Sequence, residues 1–315
     1  MCEPPFSKIL LTSASPFLRQ LKSSLTFANA FEEIPMTGIA SNTALALGPY
    51  RLSLSRTLIM GVLNVTPDSF SDGGKHGDVH SVIEHAKRLV DEGADIIDVG
   101  GESTRPGAVA VPVEEELQRV ESAIETISNE LGVPVSIDTR KPEVAERCMA
   151  VGASMINDVT GLRDDGMLEV VRRTGAAVTI MHMKGTPRTM GSESIYANLI
   201  GEVRGFLAEQ AAQAIRAGAQ TVIVDPGLGF AKNSQQNLTL LNNLDAFADL
   251  GYPLLVGPSR KRFIGELTGA AVDDRLPGTI AAVVKCVLAG VPIVRVHDVA
   301  SCKQAITVTE AIHRS

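Results

Sequence analysis

LIMGVLNVTPDSFSDGG, residues 58–74, decides how the rest of the chain is read. Leu58 to Leu63 are apolar or small throughout, as in a strand buried on both faces. The run stops at Asn64 and opens into a polar loop. Pro67 there bars regular ladder pairing, and Gly73 and Gly74 permit positive φ. A buried strand thus delivers one carboxamide to the root of a long loop carrying one aromatic, Phe70. The same event recurs downstream. Short apolar runs at 59–63, 95–99, 134–137, 154–157, 177–181, 221–224, 254–257 and 292–295 each end at a polar or charged residue.

Amphipathic segments separate these runs. Val113, Leu117, Val120, Ile124, Ile127 and Leu131 recur at steps of four and three, one face of a helical period. Val82, Ile83, Ala86, Leu89 and Val90 repeat the pattern. Gly93, Gly132, Gly152, Gly175, Gly218, Gly251 and Gly290 each follow such a segment, where a glycine can close a helix in the left-handed conformation. Eight strands alternating with eight helices predict a (β/α)8 TIM barrel rather than an open doubly wound sheet. The barrel is expected over residues 44–315 as a single domain, with no internal linker. Residues 1–43, scattered Ser, Thr, Pro and Asn without period, read as a poorly structured N-terminal extension, with Met36 an alternative start.

Bulk properties narrow the function. The chain has 315 residues, 44% of them hydrophobic, a mean hydropathy of +0.14 and a net charge of −7. General nucleic-acid or anionic-membrane affinity does not follow from that balance, so an anion site must be built locally. Cys2, Cys148, Cys286 and Cys302 lack CxxC spacing, which suggests reduced thiols and a cytoplasmic setting. The best membrane candidate, 276–294, is broken by Pro277, Lys285 and Pro292.

Barrel chemistry sits at the C-terminal mouth, just past each strand. Here those positions hold Asn64, Asp98 with Gly100 and Gly101, Asp138, Asn157, His182, Asp225, Ser259 with Lys261, and Arg295 with His297. Polar groups converging without partners would cost stability, so the set points to a ligand. Each also has a plainer reading: Asp98 as a structural hydrogen-bonder, His182 as a core histidine, Asp138 and Asp225 as helix caps, Ser259-Arg260-Lys261 as a helix start. Taken as a set, Asp138, Asn157 and Asp225 suit a flat heterocycle with several N–H donors, and Lys261 a ring carbonyl or nitrogen. Arg295 and His297, from the last strand, suit a phosphate. Asn64, on the neighbouring first strand, offers an oxygen for Mg²⁺.

At this point a resemblance enters. LNVTPDSFSDGG (63–74), IIDVGGESTRPG (96–107), SIDTRKPEV (136–144), INDVTG (156–161), MHMKGTP (181–187), DPGLGFAK (225–232), GPSRKRFIG (257–265) and RVHDV (295–299) together resemble the dihydropteroate synthases, in order and at all eight strand ends. The resemblance implies condensation of 6-hydroxymethyl-7,8-dihydropterin diphosphate with 4-aminobenzoate, and a homodimer. It implies that Asp138, Asn157, Asp225 and Lys261 hold the pterin, with Met183 and Phe230 against its ring. Asn64, Arg295 and His297 would hold the diphosphate, Asn64 with Mg²⁺ and Asp72 helping at the metal. Phe70, Thr104, Arg105, Pro106 and Ser259 would form the aminobenzoate side. Catalysis would fall to Asp138, Lys261, Arg295 and His297, in an SN1-like departure of diphosphate beside the Asp138 carboxylate. Arg295 and His297 would neutralise the leaving group, so Arg295→Ala would spare pterin affinity. Loops 65–78 and 102–112 would close over the site. Ala231 stands where many family members carry Gly. Two rival readings are a pterin-binding methyltransferase, which needs no diphosphate set, and a silent pterin-binding paralogue, which would have eroded its loops.

Overall fold

The computed structural model describes residues 44–65, 79–104, 107–186 and 188–315, all within one compact unit, Gly38–Ser315. A second unit, Met1–Thr37, lies outside the described residues, as do Phe70, Asp72, Arg105 and Pro106.

Eight parallel strands form the barrel: β3 (Leu58–Asn64), β4 (Ile96–Gly100), β5 (Val135–Asp138), β6 (Met155–Asp158), β7 (Ala177–Met181), β8 (Val222–Asp225), β9 (Leu255–Val256) and β10 (Ile293–Val296). Each lies within one or two residues of its expected span. They pair in the order β8-β7-β6-β5-β4-β3-β10-β9. A single parallel bridge, Val224 to Leu254, closes the ring, with Val224 N donating to Pro253 O at 3.0 Å.

The helices between them are α1 (Val79–Asp91), α2 (Val113–Glu130), α3 (Pro142–Ala150), α4 (Asp165–Thr174), α5 (Leu199–Ala217), α6 (Ser234–Asn242) with the short α7 (Asp245–Ala248), α8 (Arg262–Thr268), α9 (Leu276–Leu288) and α10 (Val299–His313). The α2 stripe buries Leu117, Val120, Ile124 and Ile127, as its period requires. All seven expected helix-closing glycines have positive φ. Gly175 and Gly218 are the left-handed caps of α4 and α5. No helix among the described residues is long and apolar enough to cross a membrane.

Alternation along each strand sorts the side chains. Ile59, Leu63, Ile97, Val99 and Ile137 join the large core under the helices. Met60, Ile96, Met155, Ala177, Ile223, Leu255 and Ile293 form a separate layer inside the barrel. Leu45 and Leu47 enter that layer from a hairpin, β1 (Ala44–Leu47) with β2 (Tyr50–Ser53), which stoppers the N-terminal end. Gln220 fixes its turn, accepting from Gly48 N at 2.8 Å and donating to Gly48 O at 3.1 Å. Each fully buried leucine contributes roughly 1.5–3 kcal/mol. With this end filled by hydrocarbon, the polar interior residues are confined to the opposite mouth.

Candidate active site

The same alternation that stacks Met60 and Ile96 below lifts Asn64, Asp98, Asp138, Asn157, Asp225 and Arg295 toward the C-terminal mouth. Arg295 is the hub. Its Nε donates to Asp98 Oδ2 and its Nη2 to Asp138 Oδ2, each at 2.6 Å. Asn157 Nδ2 donates to the same Asp98 oxygen at 3.1 Å. One guanidinium thus ties β4, β5 and β10 together, with β6 joined through Asp98. Two carboxylates share one cation, so one negative charge is left in excess. Burial, with Arg295 opposing and Asp98 reinforcing, pushes the Asp138 carboxyl up to about 7. Asp138 Oδ1 is buried without a hydrogen-bond partner among the described residues. Such an acceptor, 7% exposed at the base of a mouth, is positioned for a ligand.

Asp225 faces the hub from across the barrel. Burial pushes its carboxyl up, against the Gly227 N–H it accepts at 2.7 Å and the nearby Lys261, Lys232 and Arg295 charges. Lys261 Nζ lies 4.2 Å from the centroid of the Phe230 ring. Burial, followed by Arg295, lowers this lysine to about 8, while Asp225 and Asp138 oppose the shift. Phe230 packs with Val159, Met181, Met183, Met190 and Ala231 in an apolar cluster of its own. Acceptors, one amine and a flat apolar wall therefore meet at one place. Neither Asp138 nor Asp225 caps a helix: Lys141 stands at the N-cap of α3 and Asn233 at that of α6. Lys261 does hold the backbone N-cap position of α8.

Close to Arg295, His297 Nδ1 lies 3.0 Å from Ser259 Oγ, which also accepts from His297 N at 3.2 Å. Ser259, expected on the aminobenzoate side, is thus bonded directly to His297, expected on the diphosphate side. Burial, then Arg295, Arg260 and Lys261, push His297 down to about 3. A neutral imidazole at pH 7 would meet an anion through its N–H. Asn64 ends β3 with its side chain exposed, and its Oδ1 faces Gly100 beside Asp138. No three His, Cys, Asp or Glu residues converge as a metal site among the described residues. A hard cation at Asn64 would take its other ligands from substrate oxygens and water, as Mg²⁺ commonly does.

The loop after β4 is held from below. Arg140 Nη2 donates to Glu102 Oε1 at 3.0 Å, and Lys141 bonds both Glu102 and Glu116. Thr104, half-buried, lies just beyond this clamp.

Residues 60–297 match the family model described as pterin binding enzyme. The Escherichia coli (strain K12) dihydropteroate synthase is 46% identical over 262 residues, 82% of this chain and 93% of that protein. The chain belongs to the dihydropteroate synthase family. The Xanthomonas albilineans dihydropteroate synthase with 4-aminobenzoic acid superposes with a TM-score of 0.82 at 44% identity, covering 87% of this chain and all (100%) of that one. The Yersinia pestis dihydropteroate synthase in a sulfonamide drug complex gives a TM-score of 0.82 at 39% identity, covering 86% and 100%.

Within that family reading, two groups carry more of the site than the sequence suggested. Asp98, a strand-end candidate whose plainer reading is a structural hydrogen-bonder, is fully buried and accepts from two mouth residues, Asn157 and Arg295. Lys232 ends no apolar run, so the strand-end pattern does not mark it. Its Nζ lies 3.0 Å from His182 Nδ1 and donates to the carbonyls of His182, Gly227 and Phe230 at 3.2, 3.1 and 3.0 Å. Burial lowers this lysine to about 7. It replaces the regular backbone pairing that the 226–232 loop lacks, and so carries Phe230 to the mouth. His182 is the satisfied core histidine of the plainer reading. Only its place in DPGLGFAK, seven residues past the strand end at Asp225, could have flagged Lys232. Ala231 adopts φ +50, a left-handed conformation that glycine would take without strain.

Proposed function

We propose that the chain condenses 6-hydroxymethyl-7,8-dihydropterin diphosphate with 4-aminobenzoate, giving 7,8-dihydropteroate and diphosphate. The observation that carries this reading is the convergence of Asp138, Asn157, Asp225 and Lys261 around the Arg295 hub, with the bonded pair His297 and Ser259 beside it. A nitrogen-rich ring fits the first group and an anion the second, so the bond to be broken would lie between them.

The pterin ring would donate N–H groups to Asp225 and Asn157, with Lys261 donating to its carbonyl or ring nitrogen and Phe230 and Met183 against its faces. Diphosphate would leave with the electron pair of its bond to the pterin methylene, held by the Arg295 guanidinium and the His297 N–H. The resulting cation forms beside the excess negative charge of Asp138, a preorganised electrostatic stabiliser. The aminobenzoate amine attacks the methylene carbon and loses its proton. Asn64 would hold Mg²⁺, which supplies further neutralisation of diphosphate charge. The aminobenzoate would lie on the side of Thr104 and Ser259, with Phe70, Arg105 and Pro106 assigned there by the family motif. We place the protein in the cytoplasm, on the cysteine pattern, and as a homodimer. Leu267, Leu288, Val308 and Ile312 leave an apolar surface on α8, α9 and α10 that a second copy would cover.

Purified protein supplied with both substrates and Mg²⁺ is expected to release diphosphate only when aminobenzoate is present, and sulfonamides are expected to compete with aminobenzoate. No release above background would overturn the reading. Noncompetitive inhibition would overturn the aminobenzoate pocket.

The pH profile follows from the hub. Asp138 becomes anionic as pH rises through about 7, and Lys261 loses its charge above about 8. The active pair, anionic Asp138 with cationic Lys261, is fullest between these values. The kcat/KM for the pterin substrate is expected to rise through about pH 7 and fall above about 8. Asp138→Asn should remove the acid limb while lowering the plateau. An acid limb unchanged in that variant would mean that another group sets it.

A further inference from the structure

Asp98 lies one layer below the mouth, in the middle of β4, and is fully buried. Its effect is on direction. Oδ2 accepts from Arg295 Nε and from Asn157 Nδ2, at 2.6 and 3.1 Å. A carboxylate bonded to a guanidinium offers only acceptors, so the Asn157 amide must turn its NH₂ inward. Its Oδ1 is then the atom left for the mouth. The same contact commits Arg295 Nε, and Asp138 commits Nη2. Nη1 has no hydrogen-bond partner among the described residues.

We propose that Asp98 is a specificity-determining positioning residue: by accepting from Asn157 and Arg295 it sets the hydrogen-bond polarity of the mouth, so that Asn157 presents an acceptor and the pocket selects a ring edge rich in N–H donors. The proposal rests on the pterin reading above and deepens it. Without an acceptor at position 98 the Asn157 amide is free to rotate. A rotated amide would meet a 2-oxo ring as readily as a 2-amino ring.

The test measures selectivity, which refers only to the folded, binding-competent protein. Calorimetry compares 6-hydroxymethylpterin with its 2-oxo counterpart on three proteins. The native chain is expected to prefer the 2-amino ring by at least about tenfold, since a mismatched donor or acceptor in a buried site is strongly disfavoured. Asp98→Leu, similar in size and without an acceptor, is expected to bring that preference to within about threefold of unity. Asp98→Asn keeps an acceptor but not the charge, and is expected to retain most of the preference. A role confined to charge pairing with Arg295 predicts the opposite pattern, with Asn as damaging as Leu. Should Asp98→Leu not fold, Asp98→Ala, which also lacks the acceptor, takes its place: loss of selectivity there with retention in Asp98→Asn supports the proposal, and retention in both overturns it. A native chain that binds neither ring and releases no diphosphate would refute the pterin reading itself. A native chain that discriminates, with Asp98→Leu discriminating equally, refutes only the role of Asp98.

Discussion

Arg295→Ala is expected to abolish turnover, by about 10³-fold, and to weaken pterin binding and folding together. The family motif alone assigns Arg295 to the leaving group and predicts that pterin affinity survives. The structure changes that expectation. Arg295 bonds Asp98 through Nε and Asp138 through Nη2, and its side chain is only 21% exposed. Removing it leaves two carboxylates facing each other in a poorly solvated interior. Breaking such a pair by deleting one partner costs about 3–5 kcal/mol. The Asp138 carboxyl would also be pushed further up, leaving it neutral at pH 7 and unable to stabilise a cation. Urea unfolding, calorimetry with the pterin ring and single-turnover kinetics on one preparation read all three effects. Arg295→Lys keeps a charge but reaches one carboxylate at most, so it should fall between the two. A stable alanine variant with native pterin affinity would return Arg295 to a role on the anion alone.

Gly227→Ala should be nearly as damaging, although the change adds one methyl. Gly227 adopts φ +72, and a Cβ there would overlap the His182 carbonyl oxygen. Left-handed strain contributes roughly 1–2 kcal/mol, and the overlap roughly 1–3 kcal/mol more, because backbone must move. Movement here is costly to the site. Gly227 N holds Asp225 Oδ1, and Gly227 O helps hold Lys232. The loop carrying Phe230 should therefore shift with it. Expected results are a melting temperature lowered by several degrees and a raised KM for the pterin substrate, while the KM for aminobenzoate changes less. Equal changes in both would mean that the loop serves the whole mouth rather than the ring side.

Much of this was legible in the sequence because the barrel writes its periods plainly. Continuous apolar runs mark the strands, the α2 stripe marks its inward face, and seven glycines mark helix ends. The hairpin at 44–53 was not legible. ALAL lacks β-branched residues, and although Gly48-Pro49 is a turn dipeptide, only burial of Leu45 and Leu47 under the barrel makes it a strand. The mouth residues could be named one by one, since each closes an apolar run. Their partnerships could not. Nothing in RVHDV says that Arg295 spans two carboxylates 157 and 197 positions away, or that the bond to Ser259 sits on a neutral histidine. Lys232 was hidden for the same reason: its four acceptors come from two strand-end loops that meet only after folding.

A crystal structure with pterin and diphosphate bound would test the shared mouth most directly. The account predicts the ring edge against Asn157, Asp225 and Lys261, its face on Phe230 and Met183, and the diphosphate between Asn64, Arg295 and His297. A ring bound elsewhere, or a diphosphate seated away from Arg295 while the ring occupies this mouth, would contradict it.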